Sequence, residues 1–196
     1  MVTKPRLSVI VGSTRPTRVG GKVADWFVPL AEQHGRFAVE TVDLQEVALP
    51  LYDEPRHPRF RQYEHEHTKA WSEVVNRADA YVLVTPEYDH GPPASVINAL
   101  QFLLHEWSYK PMGFVSYGGV SAGTRAMNTL KQTVTSLKVM PMFESVSIPF
   151  VGSHVDKESG LFDPGEVQQK AVVVMLDELL RWESALRELR RPNKES

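Results

Sequence analysis

Residues 7–22 read Leu7-Ser8-Val9-Ile10-Val11-Gly12-Ser13-Thr14-Arg15-Pro16-Thr17-Arg18-Val19-Gly20-Gly21-Lys22. The apolar run that ends at Val11 is typical of a buried parallel strand. Gly12 allows the backbone to turn sharply and to approach a ligand closely. Hydroxyl and guanidinium donors follow directly, on Ser13, Thr14, Arg15, Thr17 and Arg18. An amphipathic helix comes next, and its free N–H groups and its dipole favour an anion at the same place. The stretch therefore predicts a phosphate site at a strand-to-helix turn.

Two well-known phosphate loops do not match this stretch. A Walker loop requires glycine, four residues and then Gly-Lys-Ser/Thr, whereas Gly12 and Gly21 are too far apart and Val23 stands at the hydroxyl position. A dinucleotide fingerprint requires G-x-G-x-x-G, and Thr14 occupies its second glycine position. The loop is built from hydroxyls and arginines, which suits a mononucleotide. The alternative is an ordinary surface turn with two solvated arginines.

The composition is that of a soluble globular protein. The chain has 196 residues and a net charge of −2, without a large basic block, which argues against nucleic acid or an anionic membrane as the main partner. No apolar stretch is long enough to span a bilayer, and the N-terminus lacks the pattern of a signal peptide. Without cysteine there are no disulfides, thiolate metal sites or thiol redox chemistry. We therefore expect one cytoplasmic domain over residues 1–196, frayed from about residue 191, in which redox chemistry would require a bound cofactor.

Strand-like and helix-like segments alternate along the chain. Apolar runs predict strands at 7–11, 37–44, 80–84, 112–117 and 139–148, and helical spacing predicts helices at about 19–30, 64–77, 93–104, 121–137 and 163–190. We expect Pro29 to kink or shorten the first helix. Expected helix starts are Pro93 in a first turn, Ser121 as a cap, and Asp163 followed by Pro164 and Glu166. The alternation predicts a parallel five-stranded sheet with helices on both faces.

Two further loops follow strands at the carboxyl edge of this sheet, where ligands bind in such folds. The loop at 85–93 is stiffened by prolines and can present backbone groups to the edge of a flat ring. The loop at 116–123 carries Gly118 and Gly119, which permit close approach, and its N–H groups favour negative charge. The long segment at 45–62 is the kind of loop that is functional or mobile. A ligand with a phosphate at one end and a planar heterocycle at the other is indicated, and FMN fits both ends.

These loops resemble those of the NADPH-dependent FMN reductase family. The matching residues are Gly12-Ser13-Thr14-Arg15 with Arg18, Leu49-Pro50-Leu51-Tyr52-Asp53-Glu54-Pro55, Thr85-Pro86-Glu87-Tyr88-Asp89-His90-Gly91, Asn98-Ala99-Leu100 and Ser116-Tyr117-Gly118-Gly119. One tetrapeptide is weak, but matches at three successive loops are specific, and the resemblance covers nearly the whole chain. It implies a flavodoxin-like three-layer α/β sandwich with strand order 2-1-3-4-5, bound FMN, and a homodimer or homotetramer.

The resemblance also implies which residues bind the cofactor. Ser13, Arg15 and Arg18 would hold the phosphate. The ring would lie between Pro86, Glu87, Tyr88, Asp89 and Gly91 on one side and Ser116, Tyr117, Gly118 and Gly119 on the other. The sequence departs from the family at Asp89, where asparagine is common, and a carboxylate beside the flavin would disfavour its anionic reduced form unless it points away. Pro92-Pro93-Ala94 replaces a more usual aromatic and glycine, which predicts a different substrate-facing wall.

Hydride transfer from a nicotinamide to a flavin needs stacking and alignment, so we assign no catalytic side chain. NADPH or NADH would reduce FMN and leave, and a small acceptor such as a quinone, a free flavin or an azo dye would take the electrons at the same face, in a ping-pong scheme. Arg56, Arg59 and Arg61 are candidates for binding a 2′-phosphate. Two alternatives are a flavodoxin-like electron carrier, against which the small net charge counts, and a flavin-binding regulatory module without turnover.

Other patterns have simpler explanations than a site. The histidines and acids at 57 and 64–67 do not share one helix face, so we interpret them as a solvated helix start and expect no metal site. His90 is interpreted as a solvated loop residue. A Ser-His-Asp hydrolase is not supported, because the chain has no G-x-S-x-G elbow. Trp182, Leu186 and Leu189 on the last helix are interpreted as core or dimer-interface residues.

Overall fold

The computed structural model describes residues 4–190 of the chain, so the predicted frayed tail lies outside the described residues. At its centre is a five-stranded parallel sheet in the order β2-β1-β3-β4-β5, which confirms the predicted strand order. The strands are β1 (Arg6–Val11), β2 (Ala38–Asp43), β3 (Ala80–Pro86), β4 (Pro111–Tyr117) and β5 (Met140–Ile148).

Helices cover both faces of the sheet. They are α1 (Gly20–His34), α2 (Leu44–Val47), α3 (Glu66–Asn76), α4 (Ala94–Gln101), α5 (Thr124–Thr135) and α6 (Glu166–Leu186). Short 3-10 turns lie at Pro58–Phe60, Val151–His154 and Arg187–Arg190. α1 and α6 pack against one face, and α3, α4 and α5 pack against the other. The result is the three-layer sandwich that the sequence predicts. In the described part of the chain, no helix has the length and apolar character needed to cross a membrane.

The core has one apolar cluster on each face of the sheet. Every residue of β3 and β4 is buried, because these central strands are covered on both sides. Phe27 of α1 belongs to one cluster, and Trp71 of α3 and Trp107 belong to the other. The Trp71 Nε1–H donates to the Ala99 carbonyl at 2.9 Å, which joins α3 to α4. This rigid centre positions the loops at the carboxyl edge of the sheet.

Two helices differ from the sequence prediction along their length. Pro29 does not end α1, which continues to His34. A proline here leaves the Asp25 carbonyl without its helical donor, and both residues are exposed, so water can replace that donor. α4 ends at Gln101, so the predicted inward-facing Leu103 and Leu104 lie in the irregular segment that follows it.

Three helix starts also differ from the prediction. Pro93 precedes α4 as its cap residue instead of lying in its first turn. α5 begins at Thr124, because Gly123 takes the left-handed conformation (φ 77°) directly before it, so Ser121 is not its cap. α6 begins at Glu166, and the Asp163 carboxylate accepts the Gly165 N–H at 2.8 Å ahead of the helix. In each case the capping residue lies within three positions of the expected one.

Candidate functional site

The loop between β1 and α1 begins with a close approach to two other elements. A side chain at Gly12 would place its Cβ 2.5 Å from the Val96 Cγ2 atom and 3.1 Å from the Val84 carbonyl oxygen, so only glycine fits. The Gly12 N–H donates to that carbonyl at 2.9 Å, and the Ser95 hydroxyl donates to the Gly12 carbonyl at 2.6 Å. The loop is therefore fixed to the ends of β3 and α4 at its first residue.

Two of the predicted phosphate-binding residues converge on Tyr88. Ser13 is fully buried, and its hydroxyl is hydrogen-bonded to the Tyr88 hydroxyl at 2.7 Å. The exposed Arg15 guanidinium lies over the Tyr88 ring, 5.5 Å from the centroid. No carboxylate among residues 4–190 forms a salt bridge with Arg15, which leaves its charge for a ligand. The structure thus brings the predicted phosphate loop and the predicted ring loop together at one tyrosine.

Arg18 has a protein partner that the sequence analysis missed. Its guanidinium forms a salt bridge with Asp43 at the end of β2, and the two side chains are only 17% and 15% exposed. The Arg18 Nε atom is buried without a hydrogen-bond partner in the described part of the chain. Arg18 therefore ties the loop to β2 while one of its donors stays unsatisfied. Asp43 is an acid at the end of a neighbouring strand, which places it at the same edge of the sheet as Arg18. That placement is the sequence signal from which the pair could have been predicted.

A second unsatisfied donor lies at the start of α1. The Tyr117 hydroxyl is buried, has no partner within residues 4–190, and would lie 2.6 Å from a Cβ placed on Gly20. Burial raises the pKa of this hydroxyl above its usual value, so it stays protonated and can donate. Buried donors without partners are rare in folded proteins and call for an acceptor. Tyr117 and Arg18 Nε, next to the positive end of α1, fit an anionic ligand such as the phosphate of FMN.

The loop after β3 is a tight hairpin turn. Tyr88 and Gly91 exchange two backbone hydrogen bonds of 2.9 Å, and the turn residues Asp89 and His90 both take the left-handed conformation, with φ of 48° and 67°. Non-glycine residues there are strained, and such strain is concentrated at functional sites. Asp89 and His90 are exposed at the tip of the turn, as predicted for His90.

The Glu87 side chain is turned away from this hairpin, toward α5. Its carboxylate accepts hydrogen bonds from the Ser121 hydroxyl at 3.0 Å, from the Arg125 N–H at 3.1 Å and from the Arg125 Nε at 2.7 Å. Burial alone would raise the pKa of Glu87, but these donors and the charge of Arg125 hold it below its usual value. Glu87 is therefore an ionised group that joins two loops.

The loop after β4 is folded back on the strand. A Cβ at Gly123 would lie 2.7 Å from both the Tyr117 N and O atoms, so glycine is required there. The Gly119 carbonyl accepts the N–H groups of Ala122 at 3.1 Å and of Phe150 at 3.0 Å. The buried Ser116 hydroxyl faces Ser147 of β5 at 3.4 Å. Gly118 and Gly119 can present only backbone groups to a ligand. The Ser116 side chain faces β5 inside the sheet.

The long loop after β2 is attached to the rest of the domain by two polar side chains. The Asn98 side chain of α4 donates to the Pro50 carbonyl at 2.7 Å and accepts the Tyr52 N–H at 2.9 Å. The buried Glu54 carboxylate accepts the N–H groups that precede α3, at 2.9 and 3.1 Å. Beside this loop lies a cavity of about 420 Å³, which reaches the phosphate loop at Thr14 and has uncharged walls.

The arginines suggested for a 2′-phosphate have neighbours of their own. Arg56 hydrogen-bonds to Gln62, Arg59 lies over the Phe60 ring at 4.5 Å, and Arg61 Nε is 4.0 Å from Glu106. The histidines of this region also have neighbours. His65 and His67 stack at 5.1 Å, and His67 pairs with Asp53 at 3.0 Å. Within residues 4–190, no three His, Asp or Glu side chains are arranged to hold a metal ion.

Arg125 is the residue of this site that sequence reasoning missed most completely. It occupies the first turn of α5, where the helix dipole disfavours a cation. A basic residue at that position is a signal that a carboxylate lies close by, and here that carboxylate is Glu87. The signal identifies the type of partner without saying which element supplies it.

The sequence profile described as NADPH-dependent FMN reductase matches residues 5–152. The chain belongs to this family. An NAD(P)H-dependent FMN reductase of Schizosaccharomyces pombe is 40% identical to it over 149 residues, which are 74% of this chain and 74% of that protein. The predicted family is therefore confirmed, and the protein is an NAD(P)H-dependent flavin enzyme that uses FMN.

Solved structures support the fold of this FMN reductase. The flavoenzyme NAD(P)H:(acceptor) oxidoreductase of Paracoccus denitrificans superposes with a TM-score of 0.71 at 21% identity, covering 92% of this chain and 98% of that one. A Streptococcus pneumonia flavodoxin superposes with a TM-score of 0.54 at 13% identity, covering 89% and 98% of the two chains. The predicted flavodoxin-like fold is confirmed.

Proposed function

We propose that this FMN reductase transfers electrons from NAD(P)H to a small acceptor in a ping-pong scheme, both substrates using one open face of the flavin in turn. Quinones, free flavins and azo compounds are the proposed acceptors. In support, relatives from Pseudomonas putida and a Bacillus species, 30% and 31% identical over 137 residues, are named quinone reductase and NADPH azoreductase. Bound FMN would supply the redox chemistry, which is the passage of two electrons from a reduced nicotinamide to a second substrate.

One observation carries the placement of the phosphate. Two buried donors without partners, the Tyr117 hydroxyl and Arg18 Nε, lie at the N-terminus of α1 beside the unpaired charge of Arg15. We assign Arg15 and Arg18 to the phosphate, with Ser13 as a support, because its hydroxyl is already hydrogen-bonded to Tyr88. An anion there would satisfy both donors at once and would benefit from the helix dipole.

The ring is proposed to lie between the loops that follow β3 and β4. The lining residues are those assigned from the sequence: Pro86, Glu87, Tyr88, Asp89 and Gly91 on one side, and Ser116, Tyr117, Gly118 and Gly119 on the other. Glu87 and Ser116 would contribute backbone atoms, because their side chains are engaged with α5 and β5. Asp89 lies at the exposed tip of its turn, so its carboxylate would stay in solvent and not against the flavin.

The protein residues are proposed to bind and align, and none is proposed to move a proton during the electron transfer. The hairpin at 88–91 would hold one edge of the ring by its backbone groups, and Tyr88 would keep that hairpin attached to the phosphate loop. Backbone N–H groups near Gly118 would stabilise the negative charge that develops on the reduced ring.

The decisive experiment is anaerobic addition of NADPH to the purified, FMN-loaded protein. Rapid bleaching of the flavin absorption band, followed by recovery when a quinone is added, is expected of the enzyme. A carrier or a regulatory module would bleach slowly or not at all, and that result would overturn the proposal. Initial rates at several concentrations of both substrates should give parallel double-reciprocal lines, whereas intersecting lines would exclude the ping-pong scheme.

We further propose a cytoplasmic homodimer or homotetramer. The exposed apolar side chains support self-association, since Phe143 is 89% exposed, and Trp182 and Leu189 on the last helical segment are exposed as well. Residues of this kind are typical of an interface between copies of a chain. Light scattering coupled to gel filtration gives the oligomeric state, and a monomer at micromolar concentration would exclude the oligomer. Cell fractionation tests the location.

A further inference from the structure

An ion pair between a buried carboxylate and a half-exposed arginine joins the two loops that the proposed function places around the flavin ring. Glu87 follows β3, and Arg125 lies in the first turn of α5, beyond the loop that follows β4. The Glu87 side chain is 6% exposed, whereas that of Arg125 is 48% exposed. The carboxylate accepts two side-chain donors of Arg125, its backbone N–H, and the Ser121 hydroxyl. Both carboxylate oxygens are thus used to hold one loop to the other.

This arrangement replaces a local helix cap. α5 has Gly123 at its cap position, and no side chain of its own loop caps it. The Glu87 carboxylate takes that role by accepting the Arg125 N–H, although it comes from another loop 38 residues away. A carboxylate at the N-terminus of a helix is favoured by the helix dipole. The Glu87 carboxylate therefore links the start of α5 to the loop after β3.

The loop that this pair contacts has two consecutive residues in the left-handed conformation. Ala122 takes the left-handed conformation (φ 53°) directly before Gly123, which is also left-handed. Strained backbone persists only where its surroundings impose it. Ser121, which precedes these two residues, donates its hydroxyl to Glu87 at 3.0 Å. Glu87 therefore contacts the loop after β4 directly beside its two left-handed residues.

We propose that Glu87 and Arg125 form a clamp that sets the spacing of the two ring-binding loops, and that they act on the flavin as positioning residues. The inference rests on the proposed function, because that function places the ring between these loops. It differs from the sequence assignment, in which Glu87 lines the ring directly. It also adds Arg125 and Ser121 to the residues on which flavin binding depends.

The test compares FMN binding by the apoprotein of four forms: wild type, Arg125→Met, Glu87→Gln and the double variant. Arg125 is half exposed, so Arg125→Met is expected to fold even if Glu87→Gln does not. Each single variant is expected to raise the dissociation constant for FMN about tenfold, and the double variant is expected to be no weaker than the weaker single one, because both changes open one clamp. Fluorescence titration measures these constants.

A spectroscopic readout separates positioning of the ring from loss of affinity. With FMN at saturation, the clamp variants are expected to change the visible circular dichroism of the bound flavin and to shift its midpoint potential. Arg15→Ala, which affects the phosphate end, is expected to change the visible spectrum of the bound flavin less than the clamp variants do. Arg77→Met is a matched control. Arg77 precedes β3 at the opposite edge of the sheet and forms a partly exposed salt bridge with Glu40, which the substitution breaks.

The outcomes distinguish this inference from the proposed function. If wild type binds FMN and both single variants bind it with the same affinity and spectrum, the clamp is wrong and the reductase assignment stands. Additive losses in the double variant would also overturn the clamp, because the two residues would then act separately. If wild type itself fails to bind FMN, the proposed function and the clamp both fall.

Discussion

The hydroxyls of Ser13 and Tyr88 lie 2.7 Å apart, although 75 residues separate them in the sequence. This hydrogen bond joins the loop after β1 to the hairpin after β3. Ser13 is fully buried, and its hydroxyl has the Tyr88 hydroxyl as its close partner and the Arg15 N–H as a longer one, at 3.4 Å. The two ends of the proposed cofactor site are thus mechanically connected before any ligand binds. Removal of either hydroxyl should therefore affect both the loop after β1 and the hairpin after β3.

Tyr88→Phe is expected to lower the free energy of unfolding by about 1–3 kcal/mol, because it removes the close partner of the buried Ser13 hydroxyl and leaves only the longer contact with the Arg15 N–H, at 3.4 Å. Ser13→Ala removes that hydroxyl, so the double variant should lose no more stability than Tyr88→Phe alone. Urea unfolding of the four proteins measures the difference. Losses that simply add would show that the two hydroxyls do not depend on each other.

Arg15→Ala is expected to weaken FMN binding several-fold or more, through the loss of a charge-assisted contact with the phosphate. Arg15 is exposed and has no salt bridge among residues 4–190, so stability should change little. The exposed Arg36, between α1 and β2 at the opposite edge of the sheet, provides a matched control as Arg36→Ala. Isothermal titration of the apoproteins with FMN checks the prediction. Equal affinities in the two variants would contradict the assignment of Arg15 to the phosphate.

Much of the fold was readable because it follows from short, periodic patterns. The apolar run at 80–84 indicated a central strand, and β3 is buried along its whole length. Gly12 indicated a sharp turn at a strand end, and the structure shows that a Cβ there would collide with Val96. Alternating strands and helices leave few topologies, so the positions of the loops at one edge followed.

The contacts between loops were not readable, because they join residues that no periodicity relates. Glu87 and Arg125 meet only after β3 and β4 have paired and α5 has packed, and Arg18 finds Asp43 across two strands. The strained turn at Asp89 and His90 was also hidden, since neither residue is the glycine that usually marks a left-handed position. Sequence therefore predicted where the site lies better than what each side chain does there.

Gly20→Ala is expected to destabilise the protein by about 1–3 kcal/mol, because its Cβ would lie 2.6 Å from the Tyr117 hydroxyl in a buried site. Gly21→Ala is the matched control, since a Cβ there meets nothing within 4 Å, and alanine favours the helix. Thermal unfolding measures both. Tyr117→Phe should recover part of the loss in a Gly20→Ala background, and a failure to recover would mean that the collision lies elsewhere.

Lys110 is a buried cation at the opposite edge of the sheet from the proposed flavin site. Its ammonium donates to the carbonyls of Val75 and Asn76 at 3.0 Å and to the Tyr81 hydroxyl at 3.1 Å. Burial lowers the pKa of Lys110 to about 7. Among its charged neighbours, Arg190 and Arg61 lower this pKa further, and Asp79 and Glu106 raise it. The amine therefore loses its proton in the folded protein at a pH where the unfolded chain still holds it.

Lys110 should make the free energy of unfolding rise as the pH increases above about 7. Below about pH 7 both states are protonated, and the cost of burying the charge is fully present. Between about pH 7 and 10.5 the unfolded state binds more protons, so the free energy of unfolding rises with pH, by about 1 kcal/mol per pH unit from this group. Lys110→Met should lack this rise, whereas the exposed Lys157→Met should keep the wild-type profile. Urea unfolding at pH 6.5 to about 9.5 gives the three profiles, and parallel curves for wild type and Lys110→Met would show that Lys110 stays charged in the fold.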